Sequence, residues 1–124
     1  MRILLDTHLF LWAVSAPARL SADARKQIEA GDVFISAASI WEIAIKSGIG
    51  KLTADPAELL AGIEPAGFSL LAVTGEHAAK VAQLPPLHKD PFDRMLVAQA
   101  LTEPMVVLTN DEALRGYGSL VTVA

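Results

Sequence analysis

Apolar residues in this chain fall into short unbroken runs, separated by stretches where they recur every three or four positions. The runs are Arg2–Leu5, Val33–Ser36, Phe68–Ala72, Met105–Thr109 and Leu120–Val123. Runs this short, with no apolar–polar alternation, predict strands covered on both faces. Between them the period lengthens to that of a helix. His8–Ser15 places Leu9, Trp12 and Ala13 on one face, and Pro17 stops it. Ser21 caps a second helix through Ala30, which Gly31 closes. A third covers Ser39–Lys46, with Ile40, Ile43, Ala44 and Ser47 on one face and Trp41 marking it as packed into the core. Asp55-Pro56-Ala57-Glu58 opens a fourth, running to Glu64, with an N-cap, a proline at the first helical position and a glutamate at N3. Thr74 caps a fifth through Gln83, and Leu84–Lys89, with two prolines, is an ordered loop. A sixth, mostly apolar helix spans Pro91–Thr102, and Glu112–Arg115 adds one turn before the last strand.

Strand alternates with helix throughout, which predicts a three-layer α/β/α sandwich on a parallel sheet of about five strands. The 124 residues fit a single domain over 1–124, with no repeat, low-complexity tract or linker. In such a sheet the working residues gather at the carboxyl ends of the strands.

Composition narrows the chemistry. Hydrophobic residues make up 52%, enough for a real core and against disorder. The absence of cysteine excludes disulfides, thiolate metal sites and cysteine nucleophiles, and fits a reducing cytoplasm. A formal charge of −4 provides no net basic field for nucleic acid, so such a substrate needs a local basic patch or a metal. No apolar run is long enough to span a bilayer, and a first strand at Arg2 leaves no room for a signal peptide.

The acids stand where the predicted sheet edge would be. Asp6 directly follows the first strand, and Thr109-Asn110-Asp111 follow the fourth. Glu42 lies near the start of the helix after the second strand. Asp90 and Asp93 open the sixth helix, where Pro91 suits the first position, Asp90 the N-cap and Asp93 the N3 site favoured by the helix dipole. Each acid also has an ordinary explanation. Asp6 and Asp111 suit local caps, and Ser39-x-x-Glu42 matches a capping box. Their conjunction changes the balance. Two carboxylates brought to ~4 Å repel by about 4 kcal/mol at an effective dielectric near 20. A fold that gathers four of them needs a cation, and oxygen ligands select a hard divalent ion, Mg²⁺ or Mn²⁺. His8 and His88 lie near these positions but read as solvated or hydrogen-bonded, and His77 has no partner that the sequence names. No pair has zinc-ligand spacing, no glycine-rich phosphate loop is present, and Ser36, Ser39 and Ser47 lack the surroundings of a nucleophile elbow.

Four segments together resemble the PIN-domain ribonucleases, and among them the VapC-type toxins of bacterial toxin–antitoxin pairs. They are Leu4-Leu5-Asp6-Thr7-His8, Ser39-Ile40-Trp41-Glu42-Ile43-Ala44-Ile45-Lys46, His88-Lys89-Asp90-Pro91-Phe92-Asp93-Arg94 with Ala98-Gln99-Ala100, and Leu108-Thr109-Asn110-Asp111. Their order and spacing cover nearly the whole chain. The resemblance implies a PIN-like fold and metal-dependent endonucleolytic hydrolysis of RNA. The family's acidic quartet falls on Asp6, Glu42, Asp93 and Asp111, holding Mg²⁺ or Mn²⁺. Asp93 fits the third acid better than Asp90 because it directly precedes the apolar run from Met95, which leaves Asp90 as a cap and supporting group. Thr109 matches the polar residue that accompanies the fourth acid. Arg94 and Lys46 are candidates for phosphate contacts, and single-stranded or loop RNA is the expected substrate. The resemblance also implies a cognate antitoxin, for which the apolar helices around Trp12, Ile45 and Leu59–Leu60 offer a groove, and a homodimer.

Two other classes place acids at the same sheet edge. A receiver-like phosphoacceptor or metal-binding module wants an acidic pair early and a lysine past a late strand, whereas Asp6 stands without an acidic neighbour and Thr109-Asn110-Asp111 holds the lysine's place. A haloacid-dehalogenase-like phosphatase needs Asp-x-Asp after the first strand, and Asp6-Thr7-His8 lacks it.

Overall fold

The computed structural model describes residues 1–124. Strands β1 (Arg2–Leu5), β2 (Asp32–Ser36), β3 (Ser69–Leu71), β4 (Val106–Thr109) and β5 (Val121–Val123) form one sheet. Their order is β3-β2-β1-β4-β5, and every neighbouring pair is parallel. The helices are α1 (Thr7–Ser15), α2 (Ala22–Ala30), α3 (Ala37–Gly48), α4 (Pro56–Ala61), α5 (Gly75–Lys80) and α6 (Pro91–Thr102), with 3₁₀ turns at Pro17–Arg19, Val81–Gln83 and Glu112–Tyr117. No helix is long and apolar enough to cross a membrane.

The unbroken apolar runs have the cause inferred for them. Ile3 and Leu5 of β1 enter a cluster with Leu9 and Phe10 of α1, Ala24 of α2, Val33 and Ile35 of β2 and Ile43 of α3. Leu4, between them, belongs to a different cluster, with Leu96 and Ala100 of α6 and Val107 of β4. Successive side chains of a strand point to opposite faces, so a strand covered on both sides needs apolar residues at every position. A third cluster packs Val97 and Ala98 of α6 against Leu84 and Leu114. Helix α6 is therefore buried around most of its girth over Leu96–Ala100, which explains its nearly uniform apolar sequence. Its larger apolar side chains, Leu96 and Val97, each contribute about 1.5–3 kcal/mol by leaving water.

The structure differs from the sequence reading in several places. Helix α3 starts at Ala37, capped by Ser36, whose side chain accepts the Ala38 N–H at 3.0 Å. Strand β2 thus runs straight into α3, with one serine ending the first and opening the second. Trp41 does not anchor α3 in the core. It is 63% exposed and meets the edge of Phe92 with ring centroids 5.2 Å apart, while Ile43 is the residue fully buried. Strand β3 is shorter than the apolar run that announced it. His77 has partners after all. It forms a capping box with Thr74, and its Nε2 meets Glu103 Oε2 at 2.7 Å, tying α5 to the end of α6.

The strand order decides where a site can form. The chain lays β2 and β3 on one side of β1, then returns to place β4 and β5 on the other. The reversal falls between β1 and β4, and at such a switch point the carboxyl ends of the strands open into a crevice. The pairing continues one residue past β1, because the Asp6 N–H donates to the Leu108 carbonyl of β4 at 3.0 Å.

Candidate functional site

Asp6 leaves β1 in extended geometry (φ −72°, ψ 167°) and caps α1, with Oδ1 accepting the Leu9 N–H at 2.8 Å. Its second oxygen, Oδ2, accepts from the Thr109 hydroxyl at the end of β4. The ordinary and the functional explanations of Asp6 thus hold together, since one carboxylate has lone pairs for both. Asp6 is buried, and burial raises its pKa against the lowering effect of the Thr109 and Leu9 donors.

Glu42 is different. The helix already has its cap in Ser36, so the Ser39–Glu42 capping box does not form. Glu42 stands deeper in α3, buried, with Oε1 accepting from the Thr7 hydroxyl at 2.7 Å and Oε2 paired with the Lys46 ammonium one turn on. The Thr7 and Ser39 hydroxyls lie 2.9 Å apart and complete this link between α1 and α3.

Asp90 is the N-cap of α6. Its Oδ1 accepts the Phe92 N–H at 2.8 Å and the Asp93 N–H at 3.2 Å. Asp93 then projects from the first turn, and its carboxyl is pushed up to about 7. Burial is the largest cause, followed by Asp90; Asp6 and Glu42 add to it, and His88 opposes it. Asp111 caps the turn after β4 through Ala113 N–H (2.9 Å), and its own N–H donates to Thr109 Oγ1 at 3.0 Å.

All four acids of the expected quartet line one cavity of about 150 Å³ that has no apolar lining residue. Asp90 is a fifth acid on its wall, and Thr7, His8, Lys46 and His88 complete it. The tightest grouping joins His88, Asp93 and Asp111, whose potential ligand atoms lie within 4.8 Å of one another. His88 Nε2 stands 3.3 Å from Asp93 Oδ2 and 3.4 Å from Asp111 Oδ2. Five carboxylates facing a single ammonium leave the cavity strongly anionic, and oxygen-rich walls of this kind suit a hard divalent cation. The raised carboxyl of Asp93 owes most to burial, and its neighbouring carboxylates add to the shift.

Thr109 and the two candidate phosphate contacts, Arg94 and Lys46, have partners within the protein. Thr109 is fully buried and bridges Asp6 to the Asp111 backbone instead of facing the cavity. Arg94 turns away from it. Its guanidinium donates to the carbonyls of Pro85 (3.0 Å) and Val81 (3.1 Å) and to the Tyr117 hydroxyl (3.3 Å), fixing the loop before α6. Lys46 does line the cavity, but its ammonium is engaged by Glu42, which also raises its pKa. The sequence reading gave no role to Thr7 and took His88 as an ordinary hydrogen-bonded histidine. Thr7 follows the first acid directly, and that adjacency was the available signal for it.

The PIN domain family profile matches residues 3–120. Among solved structures, the fold is similar to a chain of VapBC2 from Rickettsia felis bound to a DNA fragment from its promoter, with TM-score 0.69 and 13% identity over 100% of this chain and 98% of that one. It is similar to a chain of a toxin–antitoxin complex from Klebsiella pneumoniae, with TM-score 0.66 and 16% identity over 98% and 96%. It also matches a chain of DNA-bound VapBC from Salmonella typhimurium, with TM-score 0.65 and 20% identity over 99% and 98%. No curated protein matches the chain.

Two outcomes follow from this geometry. Asn caps a helix nearly as well as Asp, so Asp90→Asn leaves thermal stability unchanged, whereas Asp90→Ala lowers it by about 1 kcal/mol, read by denaturant unfolding. The second concerns pH. A carboxyl whose folded pKa is raised from 3.8 to about 7 binds its proton more tightly in the folded state. Its stabilising contribution is complete below the unfolded value and is lost as pH rises through about 7. In metal-free buffer the melting temperature therefore falls by roughly 10 °C between about pH 5 and pH 8. Asp93→Asn flattens that slope and melts higher than wild type at the alkaline end; a slope unaffected by the substitution would contradict the assignment.

Proposed function

The chain belongs to the PIN-domain family, and from that premise we propose that it is the VapC-type toxin of a type II toxin–antitoxin pair. It acts as a cytoplasmic endoribonuclease that hydrolyses RNA phosphodiester bonds with Mg²⁺ or Mn²⁺. The observation that carries this reading is the convergence of Asp6, Glu42, Asp93 and Asp111, drawn from two helices and two strand ends, on one cavity at the switch point of the sheet. When bound, the divalent ion supplies Lewis-acid activation of water and neutralises charge on the phosphate and the leaving oxygen.

The chain's own residues do the rest. Asp6, Glu42, Asp93 and Asp111 hold the ion. Thr109 orients Asp6, Thr7 orients Glu42, and the Asp90 cap fixes the turn of α6 from which Asp93 projects. Lys46 balances the charge of Glu42, and a bound divalent ion would supply positive charge to the same cluster. RNA with unpaired, accessible backbone suits an open acidic cavity better than a duplex does.

The cognate antitoxin is the expected partner. A groove of about 620 Å³ runs between α1 and α4, lined by Leu11, Trp12, Leu52 and Leu59. Its dimensions suit the apolar face of a partner helix. Ile45 and Leu60, grouped with it by sequence, lie outside the groove. A second copy of the chain is the other partner in this reading, through which two acidic sites share their few basic side chains. The phosphoacceptor alternative has nothing in its favour here, because Thr109-Asn110-Asp111 still occupies the place of the lysine it needs.

The purified protein is expected to cut single-stranded RNA in Mg²⁺ or Mn²⁺ and not in chelator. Asp6→Asn and Asp93→Asn are expected to remain folded and lose cleavage by orders of magnitude, because an amide oxygen is a poor ligand for a hard cation. Expressed alone in bacteria, the wild type arrests growth and these variants do not. Arrest that persists undiminished in Asp6→Asn would rule out catalysis as its cause.

A further inference from the structure

His88 supports an inference that rests on the nuclease reading and deepens it. The distances of its Nε2 to Asp93 and Asp111, 3.3 and 3.4 Å, resemble those between ligands of one ion. Bonds of about 2.1 Å in octahedral geometry put neighbouring ligands roughly 3 Å apart. The other side of the ring points the opposite way. Nδ1 accepts the Asp90 backbone N–H at 3.0 Å. Asp90 is not free to turn that N–H elsewhere, because its side chain caps α6 and Pro91 restricts its backbone. A ring nitrogen that accepts carries no proton, so the neutral imidazole has its proton on Nε2. A histidine ligating through Nε2 needs the reverse arrangement, a bare Nε2 and an Nδ1–H given to an acceptor. Here that tautomer would set two N–H groups against each other.

We propose that His88 is not a ligand of the ion but a fixed N–H donor, its Nε2–H aimed into the cavity to receive an anionic oxygen of the RNA phosphate. The only acceptor that the Nε2–H reaches is Asp111 Oδ2, at 3.4 Å, much longer than a full charge-assisted bond of about 2.7–2.9 Å, so the fixed N–H keeps most of its donor capacity for an incoming anion. The neighbouring cations are engaged elsewhere, Lys46 by Glu42 and Arg94 by the Pro85 and Val81 carbonyls. His8, the remaining histidine on the wall, is exposed and lies beside the Trp12 ring. A cavity with five carboxylates needs a preorganised donor if it is to admit a phosphate next to its cation.

The test combines the unaltered protein with two variants. Nitrogen NMR of the His88 imidazole is recorded without and with Mg²⁺. His88→Gln keeps an N–H near the Nε2 position, whereas His88→Asn withdraws its amide to the Nδ1 position; Mn²⁺ affinity and single-stranded RNA cleavage are measured for both. The expected result is an Nε2 that keeps its proton in Mg²⁺, Mn²⁺ affinity unchanged in both variants, cleavage about a hundredfold slower in His88→Asn, and much of that loss recovered in His88→Gln. Loss of the Nε2 proton on adding Mg²⁺, or an Mn²⁺ affinity about tenfold weaker in both variants, would make His88 a ligand and overturn the proposal. Equal slowing in Gln and Asn would overturn the donor role. A wild type that binds Mn²⁺ with Nε2 protonated yet cuts no RNA would uphold the exclusion of His88 from the ligands and contradict the nuclease reading.

Discussion

Mutual repulsion among carboxylates is the constraint that the rest of this structure answers. Five of them share a cavity of about 150 Å³ with one ammonium, at a cost near 4 kcal/mol for each pair held at ~4 Å under an effective dielectric of 20. Left to themselves these side chains would swing apart. Each is held in place by neighbouring backbone or side chains instead. Asp6 is fixed between the β1–β4 ladder and the start of α1, and Asp93 by a helix whose first turn is set by Pro91 and the Asp90 cap. Asp111 is fixed through Thr109, and Glu42 by a hydroxyl on one side and an ammonium on the other. Behind them the clusters that bury Ile3, Leu4 and Leu5 lock β1 in the centre of the sheet, so the crevice at its end does not relax. The apolar core is what allows the acidic edge to exist.

Much of this was legible because a covered parallel strand and an amphipathic helix leave different periods in a sequence. Continuous runs gave the five strands, and Pro91 with Asp90 marked the start of α6 to the residue. The acids at Asp6 and Asp111 could be assigned to the sheet edge from the strand ends alone. Glu42 could not be settled that way. Ser39 matched a capping box, but the real cap is Ser36, which also ends β2. A residue that serves two elements erases the loop a sequence reader expects between them, and the helix start moves by one turn. Trp41 misled for a related reason, since its size suggested the core while the helix turns it outward against Phe92.

The basic residues were the least legible. Arg94 and Lys46 stand beside acids in the sequence, and that proximity suggested phosphate contacts. Their actual partners are others, the carbonyls of the loop at Val81–Pro85 for Arg94, set by tertiary structure, and Glu42 one turn earlier on the same helix for Lys46. The bridges made by Thr7 and Thr109 were hard to see, because a hydroxyl that links two elements across more than 30 residues of sequence leaves no local trace beyond its place near an acid. Asp6 and Asp111 show in turn that capping and site chemistry are not alternatives. A carboxylate gives one oxygen to a helix N–H and has the other for a second partner, the Thr109 hydroxyl for Asp6 and His88 for Asp111.

The most direct test of the central claim is anomalous diffraction from crystals soaked in Mn²⁺. The account predicts a manganese peak inside the acidic cavity, with oxygens of Asp6, Glu42 and Asp93 at bonding distance and the Lys46 ammonium moved off Glu42. A saturating soak that leaves the cavity without a peak, the Glu42–Lys46 pair intact and manganese bound only elsewhere would contradict it.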